Sequence, residues 1–337
     1  MLNDFTAWVH ERTNDSFEIS LKKIKLEELP AGDVLIKVAY SSLNYKDGLA
    51  FLPGGGQVLR SFPVVPGIDL AGTVVQSQDA AFRAGDRVLV TGYELGTASS
   101  GGYAEYARVP AKWIVPLPDE LSFREAMGFG TAGLTAAIAV SRLEQSGLRP
   151  GAGEVLVTGA SGGVGSMAVA LLAQRGYTVV AASGKADAHA YLQMLGAARI
   201  IGRGELLQDE SARKPLERQR WAAAIDSVGG DTLAGVLAAI SYGGSVAACG
   251  LAGGGELKST VLPFIIRGVS LLGIDSVYCP MDIRMLLWQL LSDDWKPAQM
   301  DALITKEITL EQVPQHAAAI LSGSLIGRTV IRISEDV

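Results

Sequence analysis

The stretch Glu154-Val155-Leu156-Val157-Thr158-Gly159-Ala160-Ser161-Gly162-Gly163-Val164-Gly165 decides the fold. Its first residues read as a short apolar strand, and a glycine-rich turn follows at once. Beyond the turn, Val164, Met167, Ala168, Leu171 and Leu172 have the spacing of a helix that lies on a sheet. Glycines between a strand and a helix let the backbone turn tightly and approach a pyrophosphate at the positive helix N-terminus. Set against the dinucleotide fingerprint, the key positions are Ala160, Gly162 and Gly165, with alanine replacing the first glycine. Ser161, Gly162, Gly163 and Val164 are the candidate phosphate contacts.

The same unit repeats downstream. Apolar strands are expected at 177–182, 199–201, 221–226, 245–249 and 270–274, with helical stripes between them. Six strands alternating with helices imply an α/β fold with a doubly wound parallel sheet. Upstream, short strands at 34–38, 71–75 and 87–90 are separated by turn signals, which suggests an antiparallel, barrel-like domain. A last strand near 329–333 lies outside the repeat, so the chain is expected to return to its first domain. The expected division is a first domain at 1–125, a nucleotide-binding domain at 126–294 and a return segment at 295–337.

The end of the second strand points to the cofactor. A site for NAD places a carboxylate about 20 residues after the fingerprint, to hold the ribose 2′-hydroxyl. Here Ser183-Gly184-Lys185 occupies that place, and the first carboxylate is Asp187. Ser and Lys can donate to a 2′-phosphate that a carboxylate would repel, and Arg203 adds a second cation. NADPH is therefore the expected cofactor.

Composition narrows the field. Hydrophobic residues make up 48% of the 337, enough for large cores, and charged residues 19%. The net charge of −6 gives no footprint for nucleic acid or an anionic membrane. Two uncharged stretches, 155–174 and 232–255, are broken by glycines and hydroxyl residues and read as buried strand-turn-helix units. No signal pattern opens the chain, so a cytoplasmic enzyme is expected. Cys249 and Cys279 cannot make a disulfide framework or a four-cysteine zinc site.

Several motifs carry a resemblance across nearly the whole chain. Ser41-Ser42-Leu43-Asn44-Tyr45-Lys46-Asp47, Val65-Pro66-Gly67-Ile68-Asp69-Leu70-Ala71-Gly72, Gly130-Thr131-Ala132-Gly133-Leu134-Thr135-Ala136 and the glycine turn resemble the medium-chain dehydrogenase/reductase superfamily. The segments 247–254 and 273–277 look like its zinc-free branch, in the family of acrylyl-CoA reductases and quinone oxidoreductases. The resemblance implies a GroES-like antiparallel β-barrel catalytic domain, a Rossmann domain and a homodimer paired through its sixth strands. Catalytic zinc in the alcohol dehydrogenase branch needs a Cys near Asn44 and a His-Glu pair after Gly67. Ile68-Asp69 stands there instead, no Cys precedes position 249, and His10, His189 and His316 are isolated, so no metal is expected.

The activity implied is NADPH-dependent reduction of the 2,3 double bond of a short acyl-CoA, acrylyl-CoA to propionyl-CoA. By the same resemblance, Tyr45 lies at the nicotinamide and Arg328 reaches back over the cofactor. Leu251, Ile265 and Ser276 are further cofactor contacts. Asn44 and Asp47 either join Tyr45 or brace its loop. Two other readings stand beside this one: a quinone oxidoreductase, and a non-catalytic NADPH-binding sensor.

Overall fold

The computed structural model describes residues 4–13, 16–206 and 214–334. Within them the repeat that starts at Glu154 folds as one sheet. Its strands are Glu154–Val157, Thr178–Ala182, Arg199–Ile201, Trp221–Asp226, Ile240–Ala248 and Ser270–Gly273. They are all parallel and lie in the spatial order third, second, first, fourth, fifth, sixth. The order reverses between the first and fourth strands, the switch point outside which such sheets bind ligands. Val155, Leu156, Val157, Val179, Val180, Ala224 and Ile225 are fully buried, as strands covered on both faces require.

The fifth strand begins earlier than the sequence suggests. Helix Gly230–Ala239 stops at Ile240, and the strand starts there directly. Trp221 pairs with Ile240 but Ala223 pairs with Ser245, so Ser241–Gly244 is a looped-out excess. Gly243 takes φ 72 within it. A glycine pair there reads as a turn between elements, and it is a bulge inside one.

The first unit is built on a sheet that is antiparallel except where Ile304–Ile308 runs parallel to Arg328–Arg332. Its strands run in the order Ile304–Ile308, Arg328–Arg332, Val34–Ser42, Asp69–Ser77, Arg87–Thr91, Val115–Pro116, and Tyr106–Val109 also pairs with Val34–Ser42. A separate hairpin joins Phe5–Arg12 to Phe17–Ile24. The chain does return here at its end, through Arg328–Arg332 against Val34–Ser42. This is the GroES-like domain, and the six-stranded parallel sheet is that of the Rossmann domain.

The division differs from the expected one. One compact unit holds 1–131, 277–292 and 304–337, and the other holds 132–276 and 293–303. Helix Met281–Ser292 joins the first unit because Arg284, fully buried, donates to the carbonyl and hydroxyl of Thr91 and to the carbonyl of Val277. Trp288 of the same helix packs edge-on against Phe129. Trp295, by contrast, lies under the guanidinium of Arg175 in the second unit. An apolar helical stripe looks the same whichever core it serves.

Helix Phe123–Gln145 is long and apolar enough to cross a membrane, but 83% of its most apolar window is buried in the protein. Its path breaks at Gly130 (φ 50, ψ −154), a conformation open in practice only to glycine.

Candidate active site

In the nucleotide-binding unit, the glycine turn leaves the first strand at its carboxyl end. The left-handed residue is Gly159, with φ 57, so Ala160 keeps a conformation that tolerates a side chain. Gly162 takes the N-cap position of helix Gly163–Gln174 and supplies no side-chain cap. The first amides of that helix are thus left to a ligand or solvent. At Gly165 a Cβ would come within 2.7 Å of the Ala160 Cα, so only glycine allows the helix to start so close to the strand.

The residues expected at the 2′-phosphate come together. Ser183 is buried and donates to the Ser161 hydroxyl at 3.1 Å, while the Lys185 amide donates to Ser183 at 3.2 Å. A side chain at position 184 would collide with Arg203, so this guanidinium packs on the Gly184 backbone. Burial holds the Lys185 amine below its ordinary value, with Arg203 adding to the effect and Asp187 opposing it. Two cations crowded beside two hydroxyls suit a doubly charged anion. Leu251 and Ile265 are largely exposed, and Ser276 accepts a hydrogen bond from Thr135 at 2.7 Å. Leu251 and Ser276 follow the carboxyl ends of the fifth and sixth strands, whereas Ile265 lies in the middle of helix Leu262–Arg267.

The sequence reading passed over Asp226. It is fully buried, accepts from the Thr158 hydroxyl at 2.6 Å and from the Gly229 amide at 2.7 Å, and ties the ends of the first and fourth strands together. Burial first, then the charge of Asp226, pushes the nearby Cys249 thiol up to about 12, so it has no thiolate character at neutral pH. The available signal was an acidic residue at the very end of an apolar strand, followed by a glycine pair.

In the GroES-like unit, Tyr45 is the first residue of helix Tyr45–Ala50 and is 42% exposed. Asn44 and Asp47 turn inward. The Asp47 carboxylate accepts from the Asn44 amide at 2.8 Å and from the Ile68 amide at 3.0 Å. Asp69, whose position the sequence marked only for its missing zinc ligand, is the centre of this region. Its oxygens accept from Ser42 at 2.6 Å, the Asn44 side chain at 2.7 Å, the Thr131 amide at 2.9 Å and the Thr131 hydroxyl at 2.5 Å. Among the described residues, no three His, Cys, Asp or Glu side chains group as metal ligands.

Arg328 opens the strand Arg328–Arg332 of the GroES-like unit. It is 2% exposed, and its guanidinium donates to the Gly128 carbonyl at 2.9 Å, the Ser42 hydroxyl at 2.9 Å, and the Asn44 side chain at 3.2 Å. These bonds brace the Asn44–Tyr45 turn. A surface reading of Gly327-Arg328-Thr329 misses this, because the strand's inward alternation, not the residue type, decides burial. Arg328→Ala should lower unfolding free energy by about 3–5 kcal/mol, since it strands buried charge and acceptors. Urea denaturation measures this, and a loss below about 1 kcal/mol, the range of exposed ion pairs, would contradict the brace.

Known proteins share this architecture. The families described as alcohol dehydrogenase GroES-like domain and zinc-binding dehydrogenase match residues 30–119 and 163–293. The acrylyl-CoA reductase AcuI of Ruegeria pomeroyi is 48% identical over 332 residues, covering 98% of this chain and 99% of that protein. The crystal structure of the Salmonella enterica oxidoreductase yhdH in complex with NADP superimposes with a TM-score of 0.93 at 50% identity, over 98% of this chain and 100% of that one. Bacillus subtilis YhfP, solved with NAD bound, gives a TM-score of 0.93 at 51% identity, over 98% and 100% of the two chains. Its name places it provisionally among the quinone oxidoreductases. With full-length matches of this kind and both domains in place, the chain belongs to the medium-chain dehydrogenase/reductase superfamily, in the group that includes AcuI and YhfP.

Proposed function

We propose that this oxidoreductase uses NADPH to reduce the 2,3 double bond of acrylyl-CoA, giving propionyl-CoA. The full-length match to AcuI carries the choice of substrate. The pairing of Lys185 and Arg203 beside Ser161 and Ser183 carries the choice of cofactor. The uncapped amides of Gly163 and Val164 take the pyrophosphate, Leu251, Ile265 and Ser276 contact the nicotinamide side, and Arg328 reaches over the cofactor.

Bound NADPH supplies a hydride to the β-carbon of the unsaturated thioester. Negative charge then grows on the thioester oxygen and must meet a hydrogen-bond donor. Tyr45 offers its hydroxyl for that purpose, or for relaying a proton to the α-carbon. Arg328, Asp69 and Asn44 hold the turn from which Tyr45 projects. No metal takes part, in keeping with the saturated environment of Asp69.

A quinone acceptor is the second reading, favoured by the 51% identity to YhfP. Two copies are proposed to pair through the edge strand Ser270–Gly273, where Ser270, Leu271 and Gly273 lie exposed. Sedimentation should give a dimer that Leu271→Asp dissociates; a monomer in the unmutated protein would contradict the pairing.

NADPH should bind at least about tenfold more tightly than NADH, because each charge-assisted bond to the phosphate contributes roughly 1.5–3 kcal/mol. Ser183→Asp should weaken NADPH and spare NADH, as calorimetric titration would show. Equal affinities in the unmutated protein would refute the cofactor assignment.

Tyr45→Phe should lower kcat with acrylyl-CoA by about 10²-fold if its hydroxyl stabilises the enolate oxygen. A kinetically silent variant would remove that role. Rapid NADPH oxidation with small quinones and none with acrylyl-CoA would establish the second reading.

A further inference from the structure

Beneath the Asn44–Tyr45 turn, the buried charges do not balance. Asp47, Asp69 and Arg328 are 1%, 0% and 2% exposed, so two carboxyl groups face one guanidinium in a space closed to water. The Asn44 side-chain amide bridges the two acids, at 3.2 Å from Asp47 and 2.7 Å from Asp69. Two ionised carboxylates beside one cation would leave a net buried charge, which is costly even with the Asn44 and Ile68 amides donating to Asp47.

The hydrogen bonds single out Asp47. A carboxylate has about four acceptor positions. Four donors converge on Asp69. Three reach Asp47: the Asn44 and Ile68 amides and the Asn44 side chain. The wholly buried Tyr103 phenol donates to the Ser42 carbonyl at 3.1 Å. Burial, reinforced by the charges of Asp47 and Asp69, holds that phenol well above its ordinary value, so it keeps its proton. One proton on the open position of Asp47 neutralises the excess charge.

We propose that Asp47 is a positioning residue that works as a neutral acid: the Asp47–Asp69–Arg328 cluster keeps one proton while the Tyr45 turn is competent, and releases it to solvent as pH rises. The cluster is built into that turn, because Asp47 caps the helix that Tyr45 starts. The inference deepens the proposed role of Tyr45 and rests on it for its effect on turnover. The groups facing Asp47 are Asp69, Tyr103 and, through them, Arg328. On its own helix Tyr45 is exposed and Lys46 partly so. From the packed helix Val313–Leu321, the one titratable side chain is His316, which is exposed and bonded to the Gln312 carbonyl. Burial first, then the charge of Asp69, pushes Asp47 up to about 7.

The sign follows directly. The folded-state value lies above the unfolded one, so stability from this proton is complete below about pH 4 and is lost as pH rises through the folded value. Activity should follow the same ionisation, with kcat falling on the alkaline side. Asp69→Asn removes the like charge, so it should move that fall to lower pH by about one unit. A merely structural Asp69 would lower kcat at every pH and leave the midpoint in place, and that result would overturn the proposal.

Infrared spectroscopy reads the proton without any substrate, so it separates this inference from the choice of acceptor. The full-length protein with aspartate labelled at its side-chain carboxyl carbon should show a carboxylic-acid band at neutral pH. That band should vanish on raising the pH and be missing from Asp47→Asn. If Asp47→Asn does not fold, Tyr103→Phe serves instead, because removing the neighbouring phenol hydroxyl should displace the band. A wild-type spectrum without an aspartic-acid band near neutral pH, or a band that neither substitution alters, would overturn the proposal.

Discussion

Helix Gly163–Gln174 starts where it does because Gly165 has no side chain to hold it off the strand. That one close approach aims the open end of the helix along the carboxyl edge of the sheet. The rest of the nucleotide site then follows from the sheet itself, since parallel strands deliver the residues after them to the same edge. Ser161, Ser183 and Asp226 each come just after or at the end of a strand, and the hydrogen bonds from Ser183 to Ser161 and from Thr158 to Asp226 fasten neighbouring strand ends. The same edge brings Ser183, Lys185 and Arg203 together at the end of the second strand.

The GroES-like unit solves a different problem with the same chemistry. Tyr45 stands exposed at the start of a short helix, and six residues have little intrinsic stability. Buried acids answer this by collecting donors from distant parts of the chain. Asp69 gathers Ser42, Asn44 and Thr131, and Arg328 reaches Gly128 and Asn44 from the last strand. The break at Gly130 belongs to this arrangement. A Cβ there would lie 2.6 Å from the Asp69 carboxylate and 3.0 Å from Arg328, so the glycine is what lets Thr131 turn its amide onto Asp69.

The fold was legible in the periodicities, and the glycine turn was legible because its strand and helix are adjacent along the chain. What the sequence did not carry depends on long-range placement. The shift of 277–292 into the first unit rests on Arg284 finding Thr91, nearly two hundred residues away. The burial of Arg328 rests on which face of its strand turns inward. Ala160, read as a departure from the fingerprint, is none in practice, since Gly159 supplies the positive φ one position earlier. The importance of Asp69 and Asp226 could be suspected only from their places within or at the end of apolar strands. Their partners lie too far along the chain for spacing to reveal.

The central claim is that a hydride from NADPH reaches the β-carbon of acrylyl-CoA, with the α-carbon taking its proton separately. The most direct measurement is proton and deuterium NMR of the product formed from acrylyl-CoA and NADPH deuterated at C4 of the nicotinamide. The account predicts propionyl-CoA with deuterium at carbon 3 and a solvent-derived proton at carbon 2. Deuterium at carbon 2, or no deuterium in the product from either C4 face of the nicotinamide, would contradict it.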